Sequence, residues 1–281
     1  MTRLQKFVCL FALIAMPAVA QIQNFVPDMG QGKSNAARRA KPSSISNSDT
    51  SGFSPERATE SAKTHTQLAF MYFQLGVNQV AMEELMVALA FDKNYAYAYA
   101  VRAVIYSTLG QTEKARADFK RAIELAPQNP EINDQYGNFL CNNGKIQEAF
   151  KHFKIALDDP LYASPGSVNL NAGSCSFKAG NIDEAMDYYL KAINTSSPFI
   201  ELANVKMAEL LFEQNNLSES RVYLEEAMRQ MEPPTADALW LGIRLEHKEG
   251  QKNAENSYVT RLRKNYPSSA QYKKYLKGEF E

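Results

Sequence analysis

Few side chains in this 281-residue chain have the types and spacing that catalysis or metal binding requires. Its three histidines, His65, His152 and His247, are far apart, and none has the spacing of an H-E-x-x-H zinc helix. No G-x-S-x-G nucleophile turn, Walker-type loop or G-x-G-x-x-G is present. Acidic pairs such as Glu83-Glu84 are explained as solvated helix faces. We therefore predict a protein that is not an enzyme and that needs no cofactor or metal.

The cysteines are the remaining reactive side chains. Cys9 lies in an apolar stretch without the small residues that precede a lipidated cysteine, so we do not expect a lipid anchor there. Two cysteines, Cys141 and Cys175, remain after the first twenty residues, and an even number of cysteines is usual in an oxidising compartment. The formal net charge of zero argues against a nucleic-acid partner, which usually requires a basic domain or stripe.

The first twenty residues have the pattern of a secretory signal peptide. Arg3 and Lys6 precede the apolar stretch 7–16. Pro17 and an Ala18-Val19-Ala20 cleavage motif follow it. We predict cleavage after Ala20 and a mature chain that begins at Gln21. An uncleaved membrane anchor is the alternative, but the apolar run is short and a proline interrupts it near its end.

Residues 21–55 are predicted to form a disordered linker before a helical domain at 56–281. The linker is rich in Ser, Asn, Gln, Gly and Pro, and it lacks the large apolar residues that would offset the entropy cost of ordering. Its basic cluster, Lys33, Arg38, Arg39 and Lys41, is compatible with contact to an anionic membrane surface or peptidoglycan. A plain solvated linker is the simpler interpretation.

A 34-residue period organises the rest of the chain. Gly76, Gly110 and Gly144 are each 34 residues apart, and Gly180 follows 36 residues later. Two columns of Ala and a third column of Ala or Gly move with them. This period is typical of the tetratricopeptide repeat, in which two antiparallel helices meet at a tight turn and stack on the next pair. The aromatic residues that recur with it are therefore assigned to the core rather than to a cofactor site.

The period predicts an all-α fold, a right-handed superhelical solenoid of about six helix pairs. The repeats fall near 62–95, 96–129, 130–163, 166–199 and 201–234, with a degenerate sixth unit from about 235. The fifth unit is weaker, because Asn215 stands where the turn glycine belongs and Ser220 replaces a small alanine. Ser268 or Ser269 is expected to cap a short final helix through Lys277.

Five segments resemble the PilW/PilF family of type IV pilus biogenesis and stability proteins. They are NPEINDQYGNFLC at 129–141, DPLYASP at 159–165, NLNAGSC at 169–175, LWLGIR at 239–244 and GEF at 278–280. The resemblance covers roughly residues 60–281. It implies a periplasmic protein, at the inner face of the outer membrane through its partner, that supports assembly or stability of the outer-membrane secretin.

The amino-terminal segment departs from that family. The family's pilotins are typically lipoproteins, whereas this amino terminus has the pattern of an ordinary cleaved signal. This favours a soluble stabilising partner, or attachment through the secretin itself, over secretin delivery by a lipid-borne pilotin. Two alternatives remain open. One is a repeat adaptor for another envelope or cell-wall assembly, and the other is an envelope hydrolase carried on the repeats. We expect a monomer when the protein is alone.

The repeat geometry also predicts a binding groove and a disulfide. The second, fifth, ninth and twelfth places of each first helix are expected to line a concave groove. The predicted groove residues are Phe70, Phe73, Tyr97, Val104, Asp134, Asn138, Cys141, Leu170, Phe177, Leu202, Val205 and Phe212. No Lys and Arg cluster of the kind that clamps a terminal carboxylate is expected. A partner segment should pack apolar side chains against Phe70, Phe73 and Tyr97, although packing of these rings within the protein is the alternative.

Cys141 and Cys175 occupy equivalent places in neighbouring repeats, so we predict a disulfide between them. Two buried free thiols are the alternative, because a small helical misphasing would place the Cα atoms too far apart.

Overall fold

The structure, a computed structural model, describes residues 54–195 and 198–280. The predicted signal peptide and the linker with its basic cluster lie outside these residues, except for the last two linker positions. Ser54 there accepts a hydrogen bond from the Arg57 amide, and Pro55 begins the first helix. No helix in the described ranges is long and apolar enough to cross a membrane.

The described residues form thirteen α-helices and no strand. They are α1 (Pro55–Gln74), α2 (Asn78–Phe91), α3 (Ala96–Thr108), α4 (Thr112–Leu125), α5 (Pro130–Asn142), α6 (Ile146–Leu157), α7 (Pro165–Lys178), α8 (Ile182–Ile193), α9 (Ile200–Glu213), α10 (Leu217–Gln230), α11 (Ala236–Lys248), α12 (Lys252–Asn265) and α13 (Ala270–Lys277). The predicted all-α repeat architecture is confirmed.

The chain divides into two compact units within α5. The N-terminal unit contains the described residues through Phe139, and the C-terminal unit contains those from Leu140 onward. In the N-terminal unit α1 packs on α2 and α3 on α4. In the C-terminal unit the hairpins are α7 with α8, α9 with α10, and α11 with α12.

Each helix hairpin turns at a residue in the left-handed conformation. At the first turn Gly76 has φ +74°, and the Val77 amide reaches back to the Tyr72 carbonyl at 2.9 Å. This bond satisfies a carbonyl that the end of α1 would otherwise leave without a partner. Asn215 adopts φ +59° at the corresponding turn of the fifth pair, because asparagine tolerates this conformation better than most residues do. The fifth turn is thus regular despite its substitution.

The recurring small residues lie where two helices of a pair touch. Ala69 and Ala103 have no exposed surface. At the equivalent place in α7, a Cβ added to Gly173 would lie 2.6 Å from Cδ1 of the fully buried Tyr189. The close approach therefore requires the smallest residue at that point.

The predicted final helix is present as α13. The Ser269 hydroxyl accepts from the Tyr272 amide at 3.1 Å and begins the helix. Gly278, with φ +71°, ends it after Lys277. The chain beyond this turn reaches Phe280, which packs against α11.

Candidate protein-binding surface

In the N-terminal unit, the predicted groove residues divide between surface and interior. Phe70, Tyr97 and Val104 are partly exposed, as is Asn138 in α5. Phe73 and Asp134 are buried, so the prediction that they face a partner is wrong for these two.

The C-terminal unit buries more of the predicted groove. Leu170 belongs to an apolar cluster with Phe199 and Met207, against which the partly exposed Phe177 and Leu202 also pack. Val205 and Phe212 are buried in a second cluster, with Leu241 and Leu245 of α11 among its members, and Cys141 is also buried. Leu170, Val205, Phe212 and Cys141 are therefore corrected from groove surface to interior. The physical reason is that a following helix pair covers faces that a single-helix register leaves open.

A phenol and a carboxyl meet on the N-terminal unit. The Tyr97 hydroxyl on α3 donates to Oε1 of Glu131 on α5 at 2.6 Å. Burial is the main cause that raises the pKa of Glu131, and the bond from Tyr97 opposes the shift. Burial and the neighbouring Glu131 charge both raise the pKa of Tyr97. Tyr97 therefore presents its ring with the hydroxyl already engaged by the protein.

Tyr97 is one of the predicted groove residues, whereas Glu131 is not. Glu131 lies 34 residues after Tyr97 and so has the same second place in its repeat. The period therefore contained the signal, because equivalent places of neighbouring first helices lie side by side.

Three acidic side chains lie near Tyr95, two residues before Tyr97. Burial, and then the charges of Glu131, Glu60 and Asp92, raise the pKa of Tyr95 to about 12. The Thr59 hydroxyl donates to Asp92 at 2.9 Å.

Cations lie on α11 of the C-terminal unit. The Arg244 guanidinium is 4.4 Å from the Phe212 ring centroid, and the Lys248 ammonium is 5.0 Å from it. Arg244 also donates to Glu213 at 2.9 Å. The degenerate sixth unit gives no predicted groove residue, yet its turn at Gly250 puts Arg244 at the ninth place of the repeat, which is one of the predicted groove places.

The structure joins Cys141 of α5 to Cys175 of α7 through their sulfur atoms. Their Cα atoms are 5.8 Å apart, a separation typical of disulfides. Both residues belong to the C-terminal unit. The disulfide stays a prediction that thiol chemistry tests.

The histidines are dispersed, as their spacing indicates. His65 stacks on Phe91 with ring centroids 5.6 Å apart, and its Nδ1 lies 2.6 Å from Glu84. Burial lowers the pKa of His152. Within the described part of the chain, no group of three or more His, Cys, Asp or Glu side chains is arranged to hold a metal ion.

Comparison with known proteins identifies the repeat type. Tetratricopeptide-repeat models match residues 96–129, 119–151 and 166–197. These matches run from α3 into α6 and over α7 and α8, and they include the turn glycines Gly110, Gly144 and Gly180.

Relatives with the same architecture share most of the chain. The Pseudomonas aeruginosa type IV pilus assembly protein PilF is 28% identical over 218 residues, which are 77% of this chain and 85% of that protein. The crystal structure of PilW, described as a widely conserved type IV pilus biogenesis factor, is 31% identical with a TM-score of 0.66. The match covers 76% of this chain and 98% of PilW. A Pseudomonas aeruginosa PilF structure is 26% identical with a TM-score of 0.63, over 79% of this chain and 99% of that one. The chain therefore belongs to the PilW/PilF family of tetratricopeptide-repeat proteins of type IV pilus biogenesis.

Proposed function

We propose that this protein is a periplasmic scaffold that binds the outer-membrane secretin of the type IV pilus machinery and supports its assembly or stability. The observation that carries the proposal is the match to PilW over 98% of that chain. Repeat solenoids of this type bind other proteins along their stacked helices. The role is binding without catalysis, and the protein is held at the outer membrane through its partner rather than by a lipid.

The partly exposed residues of the N-terminal unit are the proposed contact. Phe70 and Tyr97 present aromatic rings, and the Tyr97–Glu131 bond fixes one of them in place. Rigid aromatic side chains anchor interfaces because they bury a large area with little loss of rotamer freedom. An apolar segment of the secretin subunit packs against these rings, and Val104 extends the surface.

Affinity capture from envelope extracts tests the partner. The tagged wild-type protein should recover the secretin, and Phe70→Ala and Tyr97→Ala should each weaken binding to purified secretin about thirtyfold, or roughly 2 kcal/mol. Val222→Ala is the matched control, because Val222 is also an exposed apolar side chain but lies on the second helix of a pair. Wild-type protein that recovers no secretin contradicts the partner and favours the adaptor for another envelope assembly. Stable variants with unchanged binding contradict the contact surface.

Intact-mass analysis of the native protein tests the proposed attachment. The expected mass is that of a chain beginning at Gln21 without an acyl group. A lipid adduct on Cys9 or a retained Met1 would contradict it. Activity on cell-wall fragments would favour the envelope hydrolase instead.

A further inference from the structure

Phe280 lies against one face of α11. Its ring stacks on His247 with centroids 3.7 Å apart and planes 6° apart, and it lies 5.9 Å from the Trp240 ring at 18°. Tyr275 of α13 closes a third side edge-on, with centroids 6.1 Å apart. An aromatic side chain is thus held by three other rings.

The main chain of Phe280 is recognised as well. Nε of Arg244 donates to the Phe280 carbonyl at 3.0 Å. The same guanidinium is oriented by its bond to Glu213 and by the Phe212 ring beneath it. Arg244 is therefore fixed before it meets the carbonyl, so little rotamer freedom is lost in the contact.

Trp240, Arg244 and His247 occupy groove places of the sixth helix pair. Counting from the turn at Gly250, they are the fifth, ninth and twelfth positions, and their spacing puts them on one face of α11. Trp240 is almost buried, whereas 38% of the His247 side chain is exposed. Trp240 therefore forms the buried base of the site, and His247 forms its solvent-accessible side.

We infer that Trp240, Arg244 and His247 form a binding site for a peptide segment that carries an aromatic side chain, and that Phe280 occupies this site in the free protein. Stacked rings and one arginine–carbonyl bond are contacts that a partner's Phe or Tyr residue supplies equally well. A partner segment of this kind binds by displacing Phe280. The site is distinct from Phe70 and Tyr97 and does not depend on the secretin as partner.

Trp240 makes the inference directly measurable, because it is the only tryptophan in the chain. In the full-length protein, Phe280→Ala should shift Trp240 emission as the stacked ring is lost. The probe is a synthetic peptide, Leu-Lys-Gly-Glu-Phe-Glu, which copies residues 276–281, and its control has Ala in place of Phe.

The Phe peptide should bind Phe280→Ala and return the emission toward that of wild type. Wild-type protein should bind the same peptide at least about tenfold more weakly, because its tethered Phe280 competes at an effective concentration in the millimolar range. The Ala peptide should bind neither protein. Adding Arg244→Gln to Phe280→Ala should weaken the Phe peptide about tenfold, which a purely apolar site would not show.

Two results would overturn the inference. One is equal binding of the Phe peptide to wild type and to Phe280→Ala, and the other is no preference for the Phe peptide over the Ala peptide. Phe280→Leu is a second variant in case Phe280→Ala does not fold, since it keeps apolar volume but removes ring stacking. If circular dichroism shows that only Phe280→Leu folds, that variant must bind the Phe peptide more tightly than wild type does. Failure to do so makes Phe280 a structural cap and nothing more.

Discussion

The two units use the same 34-residue period and treat their first-helix faces differently. The N-terminal unit leaves Phe70, Tyr97 and Val104 partly exposed. The C-terminal unit buries Leu170, Val205 and Phe212, and its own Phe280 covers part of α11. The repeat thus determines the backbone path, while the residues of the next helix pair decide which faces remain available.

The units also differ in the interactions that hold neighbouring helix pairs together. The only cysteines after Cys9 are both in the C-terminal unit, where they join α5 to α7. The N-terminal unit relies on packing and on polar contacts such as Tyr97–Glu131. Variants that remove the disulfide or a packing or polar contact one at a time measure how much each contributes to the free energy of unfolding.

The largest effect is expected from loss of the Cys141–Cys175 bridge. The cysteines are 34 positions apart in the sequence, for which the chain-entropy model gives a stabilisation of about 3–4 kcal/mol. The double variant Cys141→Ser, Cys175→Ser should lose that free energy of unfolding, monitored through Trp240 in the same unit. Thiol labelling of the unfolded but unreduced wild-type protein provides the check, since two reactive thiols would show that no bridge exists.

A smaller effect is expected from the close helix contact in the C-terminal unit. In Gly173→Ala the new Cβ meets the buried Tyr189 ring at 2.6 Å and the Ala185 carbonyl at 3.2 Å. Neither neighbour has room to move, so we expect a loss of about 1–3 kcal/mol in the free energy of unfolding.

Two matched variants sharpen this result. Gly242→Ala meets Tyr258 at 2.9 Å, but that ring is partly exposed and can shift, so its effect should be smaller. In the N-terminal unit the same repeat place already holds an alanine, and Ala103→Gly should cost only about 0.5–1 kcal/mol, through backbone entropy. Denaturant unfolding measures these losses. Equal losses for Gly173→Ala and Gly242→Ala would show that the clash with Tyr189 does not determine the loss of stability in Gly173→Ala.

Apart from the matched control Ala103→Gly, the smallest effect is expected from loss of the Tyr97–Glu131 bond. Tyr97→Phe leaves the carboxyl group buried without its donor and should cost about 1–2 kcal/mol at neutral pH. Burial raises the pKa of Glu131, so the folded protein holds this proton more tightly than the unfolded chain does. Its contribution to stability is therefore fully present below the ordinary Glu pKa and is lost as pH rises through the raised value.

Glu131→Gln tests that sign, because it removes the titration and keeps an oxygen that accepts from Tyr97. Relative to this variant, the wild-type protein should become more stable as pH falls from neutral to below the ordinary Glu pKa. Denaturant unfolding at a series of pH values measures the difference. Parallel stability curves for the two proteins would contradict the assignment.

The backbone was largely predictable because its determinants are local and periodic. Turn glycines, the small residue at Ala69, Ala103 and Gly173, and the Ser269 cap each depend on a few neighbouring residues. Even Asn215 takes the turn conformation that its place in the period requires. These are short-range rules, so one sequence was sufficient to apply them.

The available surface was less predictable because it depends on distant parts of the chain. A single-helix register placed Val205 and Phe212 at a surface, but the cluster that buries them includes residues of α11. Phe280 meets Arg244 from 36 residues away, beyond the last helix. The contact between Glu131 and Tyr97 could have been predicted, since the 34-residue period gives these two residues the same place in neighbouring repeats.

A disulfide between α5 and α7 would have a mechanical consequence for the chain. A chain stretched from its ends extends by roughly 3.3–3.6 Å for each released residue. A Cys141–Cys175 bridge keeps the 34-residue loop out of that extension, which withholds roughly 110–120 Å of contour length. Under load, such a bridge would carry force from α5 to α7 through the sulfur atoms and bypass the residues between the two cysteines.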